Sequence, residues 1–314
     1  MFKRNKKVKP FIEFNITEKC NYFCEYCSQG HLNKNEPEKL QNAPDEVIEG
    51  FVDLIKKEKR DYVVQLIGGE PFCHPKFFEV AKKIVDLGNE IIVVTNMSFP
   101  AQSFKRLAEV AGNKLIRIHG SIHLAQIKDV GAYVDKLIQI KSLLPLNTEY
   151  RIMSIILDDN FELLNSIKEK LESNGVEFIM ARLIEKGKPR NYSSEIEDFL
   201  KKQNKSYEKN IVTSTSINTK NIMCHAGCEV FHVSSSGRID RCWSFQKEHQ
   251  SFGNVAEPAS INLLNKAMPC YAKKCNCSYP TERNAYYYSR LAPLYRIDLK
   301  KFIKKLLLFI SCYR

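Results

Sequence analysis

Ile16-Thr17-Glu18-Lys19-Cys20-Asn21-Tyr22-Phe23-Cys24-Glu25-Tyr26-Cys27-Ser28 sets three cysteines in C-x3-C-x2-C order, with an aromatic residue just before the last. Three thiolates from one short loop can hold three irons of a cubane cluster and leave the fourth iron without a protein ligand. A cluster that only carries electrons is ligated by cysteine at every iron. An open iron therefore points to a small molecule that binds and reacts there. Zinc is the alternative, but a closed zinc site takes four ligands, often in paired C-x2-C units.

Outward from this loop the sequence alternates strands and helices. Phe11–Ile16 reads as a strand that runs into the cysteines. The segments 62–67, 90–95, 115–121, 150–157 and 176–183 read as five more strands. Helices are expected at 43–58, 75–87, 101–111, 130–144 and 161–173. Pro44, Asp45 and Glu46 suit a helix N-terminus, and Val47, Phe51, Leu54 and Ile55 form one apolar face. Continuous apolar strands between helices predict an α/β fold with a parallel sheet and helices outside. A complete eight-repeat barrel needs about 250 residues. Six repeats ending near residue 183 instead predict a partial (βα)6 TIM-like barrel over residues 11–183. Barrel enzymes build their sites at strand C-termini, and the cysteine loop follows the first strand.

The flanking organisation is also legible. Residues 1–10 form a basic arm. Residues 184–223 are polar and read as a linker with one helix near 195–202. Residues 224–280 carry six cysteines and read as a small Cys-rich domain, and 281–314 form a C-terminal tail. The net charge of +12 sits mostly at the ends, +5 in residues 1–10 and +5 in 296–314. A basic nucleic-acid-binding face across the body is therefore not expected. In the tail, Leu299, Phe302, Ile303, Leu306 and Ile310 oppose Lys300, Lys301, Lys304 and Lys305. Such a helix can lie on an anionic membrane surface or dock on its own protein. The N-terminus lacks the apolar stretch of a secretory signal. A disulfide framework is thus not expected, and a reducing, cytoplasmic setting is.

Further motifs fall on the same barrel face. Gly68-Gly69-Glu70-Pro71 follows the second strand, where missing Cβ atoms let backbone approach a ligand and Glu70 supplies an anion. Thr95-Asn96 follows the third strand, and His119, Ser121 and His123 alternate near the end of the fourth. Arg182 on the sixth strand reads either as a contact to substrate or as a structural ion pair. Cys73 reads as a buried small hydrophobe, with a hydrogen-donating thiol as the alternative.

The C-x3-C-x2-C loop resembles the cluster loop of the radical S-adenosylmethionine (SAM) superfamily. Gly68-Gly69-Glu70-Pro71 resembles its SAM motif, whose backbone contacts the methionine amino group. The resemblance implies that Cys20, Cys24 and Cys27 hold a [4Fe–4S] cluster whose open iron SAM chelates. It implies that Tyr26, Gly68, Gly69, Glu70, Asn96 and Ser121 bind the cofactor. Reductive cleavage of SAM then yields a 5′-deoxyadenosyl radical that abstracts a substrate hydrogen. The segment from Cys224 to Cys242 resembles the opening of the auxiliary-cluster domains called SPASM and twitch. That implies a second [4Fe–4S] cluster on Cys224, Cys242 and two of Cys270, Cys275 and Cys277, with Cys228 left open. Zinc on these thiols is the alternative. An external donor such as flavodoxin or ferredoxin is implied. Only 19 residues precede Cys20, which weighs against an added leader-binding domain. The expected reaction is oxidation or epimerisation of a carbohydrate-like substrate, an oxidoreductase chemistry. Modification of a peptide or protein is the alternative, and a metal-binding scaffold is the alternative outside enzymes.

Overall fold

The computed structural model describes residues 9–27, 35–157, 159–185, 188–203, 223–242 and 251–270. The tail helix, Cys275 and Cys277 lie outside the described residues.

Six strand–helix repeats form as expected. They are β1 (Phe11–Thr17), α1 (Asp45–Glu58), β2 (Val63–Gly68), α2 (Phe77–Asp86), β3 (Glu90–Thr95) and α3 (Ala101–Ala111). They continue with β4 (Leu115–Ile122), α4 (Val130–Leu143), β5 (Glu149–Ile155), α5 (Phe161–Ser173) and β6 (Glu177–Ala181). The strands pair in parallel in chain order from β1 to β6. The linker helix is α6 (Ser194–Gln203).

One face of the sheet carries the core. Ile12, Phe14 and Ile16 of β1 are fully buried and pack with Val47, Phe51 and Ile55 of α1. The Phe14 and Phe51 rings stack at 4.3 Å, so the expected apolar face of α1 is the one that docks. α2 starts at Phe77 rather than Pro75, because the chain first turns over Pro71–Cys73 and the Lys76 N–H bonds to His74 Nδ1.

The strands beyond residue 223 extend this sheet. β7 (Val230–Val233) pairs in parallel with β1, and β8 (Arg238–Asp240) and β9 (Ser251–Asn254) follow antiparallel. A hairpin follows Val233, closed by Gly237 at φ +82. The observed order is β9-β8-β7-β1-β2-β3-β4-β5-β6. The Cys-rich segment is thus joined to the barrel through the edge of β1.

The face opposite the helices is layered. Phe11, Ile92 and Val230 form an apolar floor with Val63 and Ile116. One level up, register aligns Asp240, His232, Glu13 and Gln65 across β8, β7, β1 and β2, and pairs Arg117 with Glu149 across β4 and β5. His232 Nδ1 meets Glu13 Oε1 at 3.1 Å, and Gln65 donates to Glu13 Oε2 at 3.1 Å. Arg117, Glu149, Arg151 and Glu177 form an ion-pair ladder across β4, β5 and β6. This wall is polar and charged.

Candidate active site

The cysteine loop is anchored before its first ligand. The Lys19 N–H bonds to Thr17 Oγ1 at 3.0 Å, and Thr17 Oγ1 donates to Asn42 Oδ1 at 2.7 Å. Cys24 is buried, Cys20 is partly buried and Cys27 is exposed. Burial pushes the Cys24 thiol up to about 11, and the neighbouring Cys27 and Cys20 charges add to the rise. Thiolates gathered this way repel one another unless a cation is supplied, and a coordinating metal does that. The donor set therefore fits an iron site. Among the described residues no three such side chains are closed around a common point.

The glycine pair meets the cysteine loop directly. The Gly69 N–H bonds to Thr17 O and the Glu70 N–H to Lys19 O, both at 2.8 Å. A Cβ on Gly69 would lie 2.4 Å from Lys19 O and 2.5 Å from Glu18 O. These glycines let two loops touch.

Glu70 is turned inward. Its carboxylate is fully buried and accepts from Phe72 N–H (3.2 Å), Thr95 Oγ1 (2.9 Å) and Asn96 N–H (2.6 Å). Desolvation pushes it up to about 7 against these three donors. It links the loop after β2 to Thr95-Asn96 after β3. Asn96 Nδ2 then reaches Asn21 Oδ1 at 2.9 Å and Cys20 Sγ at 3.7 Å. The Asn21 amide donates in turn to Ser98 Oγ at 2.8 Å. The loops after β1, β2 and β3 are one bonded unit.

The Radical SAM superfamily profile matches residues 14–141, which span the cysteine loop, the glycine motif and Thr95-Asn96. The chain carries a radical SAM domain. Its relatives include two proteins named GTP 3′,8-cyclase from Clostridium perfringens. The strain 13 protein is 25% identical over 211 residues, 62% of this chain and 63% of the relative. The strain SM101 protein is 23% identical over 210 residues, with the same coverage of each chain. The chain thus spans 63% of the length of the curated relatives it matches. Among solved structures, Streptococcus suis SuiB bound to S-adenosylmethionine has a TM-score of 0.54 at 14% identity, covering 79% of this chain and 64% of that one. SuiB bound to precursor peptide SuiA gives 0.51 at 13% identity, covering 79% and 63%. The likeness is one of fold. The radical SAM family implies a [4Fe–4S] cluster and SAM.

Other expected residues of the radical SAM domain fall nearby. Tyr26 OH lies 2.6 Å from His123 Nδ1, with the rings stacked at 5.8 Å. Desolvation lowers His123 to about 4, so its ring is neutral near pH 7 and shares one hydrogen bond with the Tyr26 hydroxyl. Ser121 is half-buried on the sheet face opposite the helices, beside Met153 in register. Cys73 is partly buried, beside the Asn21 backbone. It adjoins the cysteine loop. Arg182 resolves as a structural pair. Its guanidinium grips both carboxylate oxygens of Glu197 on α6 at 2.6 and 2.5 Å and the Arg190 carbonyl.

Two of the second cysteine group, Cys224 and Cys270, come together. Met223–Cys224 pairs with Met268–Pro269, which sets Cys224 near Cys270. Buried Arg241, next to Cys242, donates to the carbonyls of Ala226, Met268 and Pro269. Cys228 is buried and its thiol donates to the His225 carbonyl at 3.2 Å. Asn21, Ser98 and Arg241 were not singled out by sequence. Each acts through backbone or amide contacts to a distant loop, which leave no spacing pattern.

Proposed function

We propose that this protein is a radical SAM enzyme whose reactive centre is built on Cys20, Cys24 and Cys27. The observation that carries the reading is the bonded unit of the loops after β1, β2 and β3, with three thiols at its rim. A bound [4Fe–4S] cluster and SAM supply reductive cleavage of SAM to methionine and a 5′-deoxyadenosyl radical that takes a substrate hydrogen. The chain's own residues hold and orient these groups. Gly69 and Glu70 lock the cysteine loop against the second strand, and Asn96 fixes the position of Cys20. Tyr26, held by neutral His123, and Ser121 line the approach to the adenosyl part of the cofactor. Cys224, Cys242 and two of Cys270, Cys275 and Cys277 hold an auxiliary [4Fe–4S] cluster, and an external flavodoxin or ferredoxin supplies electrons.

The substrate is carbohydrate-like and undergoes oxidation or epimerisation. The polar layer of Glu13, Gln65, His232 and Asp240 supports this, because hydroxyl groups need such partners when taken out of water. A peptide is the second reading, favoured by the fold shared with SuiB. The relatives' name adds GTP as a probe. The protein acts in the cytoplasm. Its basic tail contacts the inner membrane surface, and among the described residues no helix is long and apolar enough to cross a membrane. Incubation with SAM, dithionite and each substrate class, followed by deuterium transfer from labelled substrate into 5′-deoxyadenosine, tests the assignment. Label transfer from a peptide and not from a sugar would overturn the carbohydrate reading.

A further inference from the structure

Among the described residues, the loop after β3 holds the one buried non-glycine residue in the left-handed region. Met97 is fully buried and sits at φ +57, in the left-handed region that a non-glycine residue rarely occupies. Such a conformation persists only where its surroundings over-determine it. Here three groups do so. The Met97 N–H bonds to Thr95 Oγ1 at 3.1 Å. Its side chain lies over Gly120 of β4, where a Cβ would come within 2.7 Å of Met97 Cγ. Its carbonyl accepts from Lys136 Nζ at 2.7 Å, and Lys136 also reaches Ser98 O at 3.3 Å.

Lys136 does not act alone. One turn earlier on α4, the buried Tyr133 hydroxyl donates to Asn96 O at 2.7 Å. Tyr22 of the cysteine loop lies beside the same hydroxyl. Lys136 Nζ lies 4.3 Å from the centre of the Tyr133 ring, so the two side chains also support each other. One helix face therefore grips the carbonyls of residues 96, 97 and 98 in succession and touches Tyr22. Asn96 and Ser98 are the residues that hold Asn21, and Asn96 reaches Cys20.

We propose that Tyr133 and Lys136 are positioning residues: they brace the strained 96–98 loop and the cysteine loop as one unit, and so set where Cys20 stands. The geometry stands apart from any bound group, but its consequence for a cluster rests on the radical SAM reading above. Lysine is apt because its ammonium reaches two carbonyls at once while lying over the tyrosine ring. Its burial lowers its affinity for the proton to about 8, the cost of carrying a charge into this position. Among the described residues its hydrogen-bond partners are the Met97 and Ser98 carbonyls, so a replacement must also be a donor.

Hydrogen–deuterium exchange on the full chain tests the brace. In Tyr133→Phe and Lys136→Met, peptides covering residues 20–27 and 96–98 should exchange about tenfold faster than in wild type. Peptides from β1 to β6 and the melting temperature should stay near wild-type values. Lys136→Arg keeps a donor and should restore slow exchange. Reconstituted Tyr133→Phe protein should then show an altered electron paramagnetic resonance spectrum of the reduced cluster when SAM is added. Unchanged loop exchange in both variants would overturn the brace, as would a uniform acceleration of all strands. A wild-type SAM-bound spectrum in Tyr133→Phe would overturn its action on Cys20. A wild-type protein that takes up no iron on this loop would instead sink the radical SAM reading, and the exchange data would still judge the brace.

Discussion

Glu70 Oε2 accepts the Asn96 backbone N–H at 2.6 Å, so a carboxylate after the second strand fastens the loop after the third. The same residue's N–H bonds to Lys19 O beside the first cysteine. One side chain and its backbone thus tie together three loops that are distant in sequence. The candidate site is organised around this contact, and its tests begin there.

Gly69→Val should disrupt the cluster loop itself. The added Cβ would press on Glu18 O and Lys19 O, which are backbone atoms that cannot turn aside. We expect a loss of about 3 kcal/mol of stability, as for other overpacked sites. Iron uptake by Cys20, Cys24 and Cys27 should fall as well as SAM binding. Iron analysis after anaerobic reconstitution decides this. Full loading with only SAM binding lost would mean that the glycine faces the cofactor and not the loop.

Glu70 and His123 should impose opposite pH slopes on stability. Glu70 is raised from 4.5 to about 7 by burial, so its contribution is greatest below pH 4.5 and is lost as pH rises towards 7. The span corresponds to roughly 3 kcal/mol. His123 is lowered from 6.5 to about 4, so its contribution is full above pH 6.5 and is lost as pH falls towards 4. Urea unfolding of the cluster-free protein from pH 4.5 to 7 should therefore diverge between variants. Relative to wild type, Glu70→Gln should gain stability as pH rises. His123→Asn should gain it as pH falls. Parallel curves for the two variants would contradict the assignment.

Arg182→Ala should weaken the fold and spare the chemistry. The lost bidentate contact to Glu197 and the bond to Arg190 O tie α6 to the end of β6. A cost of about 2 kcal/mol is expected for charge-assisted bonds of this kind. Thermal unfolding should shift while 5′-deoxyadenosine formation per folded molecule does not. A lost reaction at unchanged stability would return Arg182 to the substrate.

Iron content tests the auxiliary site. Two cubane clusters should give about eight irons per chain, and changing Cys20, Cys24 and Cys27 together to Ala should leave about four. Four irons and one zinc in the wild-type protein would remove the auxiliary cluster.

The repeating architecture was open to sequence reading because it is local. Apolar periodicity placed α1 at Ala43–Glu58, and it forms at Asp45–Glu58. The cysteine spacing was equally plain. What stayed hidden depends on contacts between distant segments. Gly69 advertises a close approach but not what approaches, and the partner is the backbone of Lys19. Glu70 looks like any loop carboxylate until Thr95 and Asn96 surround it. Tyr133 and Lys136 occupy ordinary helix positions, since a backbone carbonyl partner leaves no trace in sequence. The pairing of Val230–Val233 with Phe11–Phe14 spans over two hundred residues, beyond any local pattern.

The most direct test of the central claim is the formation of 5′-deoxyadenosine by anaerobically reconstituted protein supplied with SAM and dithionite. Wild-type protein should release 5′-deoxyadenosine and methionine in equal amounts, and the variant with Cys20, Cys24 and Cys27 all changed to Ala should release none. Wild-type protein that carries iron on this loop and forms no 5′-deoxyadenosine would contradict the account.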